Sequence, residues 1–467
     1  MLETIDTFPA VIPKRPINAD VPTSEEEKQP PPTQETQEET DPRGVRPYSP
    51  SGRERTNADR EPKPVAPKLL AGLVVLALVF IVAAIVWGTG GRDDSDTAPT
   101  PAPVPSAAGG GGAEAEAPVA QTAAELGYPA FATANTTRIG GSDPASNAAA
   151  AALAVFPSTT SSQRPAAVTL VDEEDWAGAI AAAVFMAPPV RAPLLFSNSE
   201  EMPEVSAEAL TALDPDGSRD TGGASLFAVG VLDYPGKAAP IDAGDPAGTA
   251  AQIATLRNRL FGEPPDHILV ASSSRPDFAM PAAAWAARSG DPVLYTGRDK
   301  LSSPTANLLG KHPSVPVYVL GPAAVISPEV LREIKKIVRR AKRVAGKDPV
   351  ANALALARYD DGDFGWDLND PGHGFVLARD DSPADAAAAA PLSAAGTWGP
   401  LLLTDDASRL PAAVRDYFLD VKPGYTTDPT RAFYNHVWVI GDQEAIDVNQ
   451  QAEVDELAEL AKIGDEE

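Results

Sequence analysis

Cysteine is absent from the 467 residues. That excludes a disulfide scaffold, a Cys-ligated zinc or iron–sulfur site and a Cys nucleophile. Histidine is scarce, with His267, His312, His373 and His436 all well separated. His267 and His436 open apolar runs and read as strand ends. His373, in an acidic stretch, keeps a functional reading open. Basic residues are outnumbered, 38 Lys+Arg against 65 Asp+Glu, for a net charge of −27. A nucleic-acid partner is therefore not expected, because neutralising phosphates needs clustered Lys and Arg. No G-x-S-x-G elbow, H-E-x-x-H pair or G-x-x-x-x-G-K-[ST] loop occurs. The chain reads as non-enzymatic, with no resident cofactor. The length suggests roughly three domains.

Proline is abundant instead, 48 residues, about twice the usual share. Thirteen of these lie in residues 1–68, with runs such as SEEEKQPPPTQETQEETD. Apolar residues there are few and aperiodic, so the segment reads as a disordered tail. Long apolar runs are confined to one place. Residues 69–87 read LLAGLVVLALVFIVAAIVW without a charge. Such a run spans about 28 Å as a helix, close to the hydrocarbon thickness. A transmembrane signal-anchor over 69–88 is the expectation. Arg53, Arg55, Arg60, Lys63 and Lys68 precede it, and Arg92 follows beside Asp93, Asp94 and Asp96. The positive-inside rule then puts the N-terminus in the cytoplasm and the C-terminal part outside a plasma membrane crossed once. Residues 89–122 are an Ala/Pro/Gly linker.

Beyond the linker the chain repeats itself. RIGGSDPASNAAAAALAVF, IDAGDPAGTAAQIATL and RVAGKDPVANALALARY align on Asp143, Asp245 and Asp348. A strand-like run follows in each copy, then a small-residue helix, a second apolar strand and a third strand closing on Gly230, Gly321 or Gly441. This sets repeat 1 at 123–236, repeat 2 at 237–341 and repeat 3 at 342–467. Continuous Val/Leu/Ile runs suit strands buried on both faces, and the Ala-rich stretches suit crossover helices. The expected class is α/β with mostly parallel sheets. Asp143, Asp245 and Asp348 each precede a Pro, which fits a helix N-cap; a ligand site at the helix N-terminus stays open beside that reading.

The opening Arg-Ile/Val-x-Gly-x-Asp, the small-residue helix, the strands Pro292-Val293-Leu294-Tyr295-Thr296 and Pro400-Leu401-Leu402-Leu403-Thr404, and the closing Val-(Tyr/Trp)-Val-(Leu/Ile)-Gly resemble the cell wall binding repeat 2 family of Gram-positive surface proteins. The resemblance covers roughly residues 136–462 and includes the family's usual three tandem copies. It implies a Toprim-like, Rossmann-like fold per repeat. The three would pack as a pseudo-threefold monomer that attaches non-covalently to wall polysaccharide, an anionic polymer in clostridial members. The site residues it points to are Thr296 and Thr404 and the carboxylate of Asp385. The family's acidic residue at the start of the central helix is kept in repeat 3 alone. Two further departures stand out. Repeat 1 stops soon after Gly230, and repeat 3 carries an insertion, YDDGDFGWDLNDPGHG, near 359–374.

That insertion offers Asp361, Asp363 and Asp367 as weak candidates for Ca²⁺, although it fails the EF-hand pattern, and Trp366 as a face for a sugar ring. The segment LREIKKIVRRAKR reads as one basic helix, with Arg339 and Arg340 among its cations. It interrupts an otherwise acidic region: from residue 123 on there are 47 acidic and 27 basic residues. Together these readings make a membrane-anchored envelope protein whose repeats hold wall glycan or a secondary wall polymer and tether membrane to wall. A protein-binding scaffold and, more remotely, a glycan-modifying enzyme are the alternatives.

Overall fold

The computed structural model describes residues 131–464 apart from 199–200 and 242–243. The tail, the apolar run at 69–88 and the linker lie outside the described residues. Among the described residues no helix is long and apolar enough to cross a membrane.

Repeat 1 contains β1 (Phe131–Ala132), β2 (Thr136–Ile139), α1 (Pro144–Val155), β3 (Val168–Asp172), α2 (Trp176–Ala182), β4 (Leu194–Ser197), α3 (Glu204–Leu213) and β5 (Leu226–Val229). Repeat 2 contains β6 (Ala238–Ile241), α4 (Pro246–Phe261), β7 (Ile268–Ser272), α5 (Pro276–Ala279), α6 (Pro281–Ser289), β8 (Val293–Thr296), α7 (Ser303–Lys311), β9 (Val317–Leu320) and α8 (Pro328–Ile337). Repeat 3 contains β10 (Ala341–Val344), α9 (Pro349–Ala357), β11 (Gly374–Arg379), α10 (Pro383–Ala388), α11 (Ala390–Ala394), β12 (Leu401–Thr404), α12 (Ala412–Asp420), β13 (Gly424–Tyr425), β14 (His436–Ile440), α13 (Val448–Ala458) and β15 (Ala461–Lys462).

The apolar runs form the central strands, and their side chains are buried. Three parallel sheets result, ordered β4-β3-β5-β6, β8-β7-β9-β10 and β12-β11-β14-β2. The third carries one more strand, β1, antiparallel to β2. The sheets are offset from the sequence repeats. Each repeat's opening strand joins the preceding repeat's sheet: β6 pairs with β5, β10 with β9, and β2 of the first repeat with β14 of the last.

Helix packing follows the same cyclic rule. The first helix of each repeat lies on the central helix of the preceding one, α4 on α2, α9 on α5 and α1 on α10. The central helices are built from buried Ala, which lets them approach one another closely. The three repeats thereby close into a ring in which every repeat touches the other two. Gly230, Gly321 and Gly441 turn the chain out of their strands at φ 69°, 103° and 93°, a region that L side chains avoid. That accounts for the glycine closing each copy.

The basic segment departs from expectation. It is not one helix: α8 stops at Ile337, Val338 is extended, and residues 341–344 form β10 against β9. Val338, and Val344 at the far end, are buried in the strand arrangement. Burial of this apolar pair outweighs the helical charge spacing. Arg339 and Arg340 therefore sit between helix and strand.

Candidate ligand-binding surface of the repeat ring

The carboxyl ends of parallel strands are where open α/β sheets hold ligands. In each repeat the Asp-Pro signature lies just beyond such an end. Asp143 accepts from the N–H of Ser146 at 2.8 Å, Asp245 from those of Ala247 and Gly248 at 3.0 and 2.9 Å, and Asp348 from that of Ala351 at 2.7 Å. In all three copies the following Pro starts the helix. These carboxylates satisfy the first turn of a helix.

Four residues on from two of these caps stands an asparagine that joins repeats. Asn147 accepts from Gly141 N–H at 2.8 Å and donates through Nδ2 to Asp385 at 2.8 Å. Asn352 does the same between Gly346 N–H and the Phe278 carbonyl, both at 3.2 Å. In repeat 2 the position is Thr249. Between repeats 1 and 2, the Tyr295 hydroxyl donates to the Ala177 carbonyl at 2.8 Å, and its ring meets Trp176 edge-on.

Asp385 is thus a seam residue, only 6% exposed. Burial raises its pKa to about 6, against the pull of the Asn147 and Ser382 hydrogen bonds. Thr296 and Thr404 are fully buried, and their hydroxyls donate to the carbonyls of Lys300 and Asp406 at 3.1 and 3.0 Å. Each pins the loop that leaves its strand.

The opening Arg of the repeat has a matching role. Arg138 donates to the carbonyls of Gly441, Asp442 and Ile446 and to Gln451. Arg343 donates to the carbonyls of Gly321, Ile326 and Ser327. Each guanidinium, on a strand borrowed by the preceding sheet, ties down the turn after that sheet's closing glycine. Pro240 holds the corresponding register position in β6.

The acidic insertion locks repeat 3 to repeat 2. The Phe364 ring stacks on Tyr318, with centroids 3.5 Å apart, and meets His267 and Trp285 edge-on. Trp366 is 7% exposed and lies between Trp285 and Trp398, so its faces are covered. Asp361 takes Lys342 and the Tyr318 hydroxyl, each at 2.7 Å, together with Arg340. Those contacts, Lys342 foremost, hold its pKa down at about 2. Asp367 accepts from Asn369 at 3.0 Å, and Asp363 stands in the turn between Asp361 and Phe364. Among the described residues no three His, Asp or Glu side chains are placed to hold a metal ion.

The structure therefore brings Asp385 together with the Asp143 helix, and Arg340 with Asp361. It does not gather Thr296, Thr404, Trp366 and Arg339 into one site. Of the basic segment, Arg332 pairs with Glu329, Arg340 and Lys342 pair with Asp361, and Arg343 turns inward. Lys335, Lys336 and Arg339 are left exposed on repeat 2. Sequence reasoning missed Asn147, Asn352 and the inward Arg138 and Arg343. The shared Asp-to-Asn spacing in repeats 1 and 3 was the signal available for the first pair.

Comparisons with known proteins bear on the same segments. The family model described as cell wall binding domain 2 (CWB2) matches residues 241–331 and 343–450. Over 111 residues the chain is 31% identical to the N-acetylmuramoyl-L-alanine amidase LytC of Bacillus subtilis, covering 24% of this chain and 22% of that protein. The fold is shared with Cwp6 from Clostridium difficile, at TM-score 0.53 and 18% identity over 70% of this chain and 48% of that one. Cwp8 from the same organism gives TM-score 0.52 and 19% identity over 70% of this chain and 52% of that one. The chain thus spans about a fifth of LytC and about half of each clostridial chain. The residues that match the cell wall binding domain 2 model fall in its second and third repeats, within a ring of three α/β repeats.

Proposed function

We propose that this chain is a cell-envelope protein whose three-repeat ring binds cell-wall polysaccharide non-covalently, and that residues 69–88 anchor it in the membrane, so that it tethers membrane to wall. The observation that carries the binding half is the CWB2 match over most of repeats 2 and 3. The seam architecture supports it: the repeat-signature residues hold the ring together, as in a binding module whose work is done by a rigid surface. The anchor rests on the uncharged apolar run and its basic N-terminal flank.

An anionic wall polymer would meet an acidic protein, so the contact needs a local positive field. Lys335, Lys336 and Arg339 supply one on repeat 2. The test is co-sedimentation of the full-length chain, in mild detergent, with protein-free sacculi before and after the secondary polymers are stripped. Replacing the three cations with Glu should raise the half-saturating sacculus concentration about tenfold. A chain that stays in the supernatant with both preparations leaves the scaffold reading in its place.

A further inference from the structure

Most large apolar side chains of the ring are buried, yet repeat 3 leaves Phe433 70% and Tyr434 55% exposed, side by side. They belong to the connection 421–435, which joins α12 to β14; in repeat 2 the corresponding connection is only 312–316. The extra length is held in place from within. Asn435, itself buried, accepts from the N–H groups of Gly372 and His373 at 2.9 and 3.2 Å and donates to the Val421 carbonyl at 2.8 Å. The Tyr434 hydroxyl donates to the Pro429 carbonyl at 2.8 Å, which lays the ring along the short turn Pro429–Arg431. Phe433 lies over Gly372, where a Cβ would come within 3.0 Å of it.

Arg431 and Ala432, which directly precede these rings in the chain, line a cleft of about 290 Å³ together with Tyr425, Thr426, Thr427, Asp428 and Ile463. Asp428 accepts from Thr430 N–H and Oγ1 through Oδ1, at 3.0 and 2.7 Å. Thr430 holds its pKa below the usual carboxylate range. A fixed carboxylate, a guanidinium and three hydroxyls thus line a cleft that the chain leaves directly into two exposed aromatic rings. A sugar ring offers the complement, C–H groups on its faces and vicinal hydroxyls around its rim. The faces pack on aromatic rings, and the hydroxyls bond to charged side chains in paired fashion.

We propose that this cleft, with Phe433 and Tyr434 at its side, is a sugar-ring subsite that grips the wall glycan at repeat 3, apart from the cationic strip of repeat 2. The inference rests on the wall-binding reading above. The test uses the full-length chain in mild detergent and Bacillus subtilis sacculi freed of protein and secondary polymers. F433A/Y434A should raise the half-saturating sacculus concentration about tenfold with an unchanged melting temperature, since both side chains are exposed. D428N/R431Q should raise it about fivefold. Wild type that binds while F433A/Y434A binds equally well overturns the subsite and leaves the wall-binding reading standing. Wild type that fails to bind these stripped sacculi overturns the subsite, and the wall-binding reading falls with it only if the chain also stays in the supernatant with unstripped sacculi. A wild-type dimer in sedimentation velocity that F433A/Y434A converts to monomer shows a second copy as the occupant and overturns the subsite.

Discussion

Replacing Asp385 with Asn should make the ring more stable at neutral pH. The carboxyl is buried at the seam where repeat 3 meets repeat 1, and its pKa is raised from 3.8 to about 6. Between those values the folded chain holds a proton that the unfolded chain has released. Stability contributed at this position is therefore present in acid and is lost as pH rises from about 4 through about 6. Above that window, keeping the ionised carboxylate in place costs about 3 kcal/mol. Asparagine retains the Oδ1 acceptor for Asn147 and carries no charge, so most of that penalty should disappear. With an unfolding entropy of about 2 cal/mol/K per residue, a ring of this size should gain about 4 °C in melting temperature at pH 8. At pH 5 the gain should fall to about half, because folded wild type is then mostly protonated. Calorimetry of wild type and Asp385→Asn at both pH values checks this. A variant that melts lower than wild type, by the same amount at both, would refute the reasoning. It would mean that the charge-assisted bond from Asn147 outweighs the burial penalty.

Three further outcomes follow from the packing. Arg138→Met should destabilise the ring by about 3 kcal/mol, read by urea denaturation, because it leaves buried carbonyls of the turn after Gly441 without a donor. Pro240→Arg, by contrast, restores a residue that two other repeats use and should cost little. Trp366→Ala should cost about 3–5 kcal/mol through the cavity left between Trp285 and Trp398, and folded variant should sediment with sacculi as wild type does, because the indole faces are covered.

The strands, the crossover helices and the capped Asp-Pro starts were legible because each is encoded locally. A run such as HILVAS is a buried strand wherever it sits, and Asp before Pro caps a helix from its own neighbours. The partner of an opening strand is not local information. Nothing within RIGGSDP says that Arg138 will reach carbonyls some three hundred residues away. The basic segment misled for a related reason: helical charge spacing is a surface property, and the buried Val338 and Val344 decided the backbone there. Trp366 and Asp385 carry residue types that fit ligand contact, and only tertiary packing reveals that they face other repeats.

The borrowed opening strand has a consequence for how such a chain can vary. In an open solenoid, units can be added or removed at an end, each contacting only its neighbours. Here every sheet is completed by the next repeat, and the last sheet by the first. Deleting any one copy strips an edge strand from one sheet and leaves another strand with no sheet to enter. Copy number is then a condition of closure: three repeats satisfy it, and a chain with two or four would have to find a different geometry.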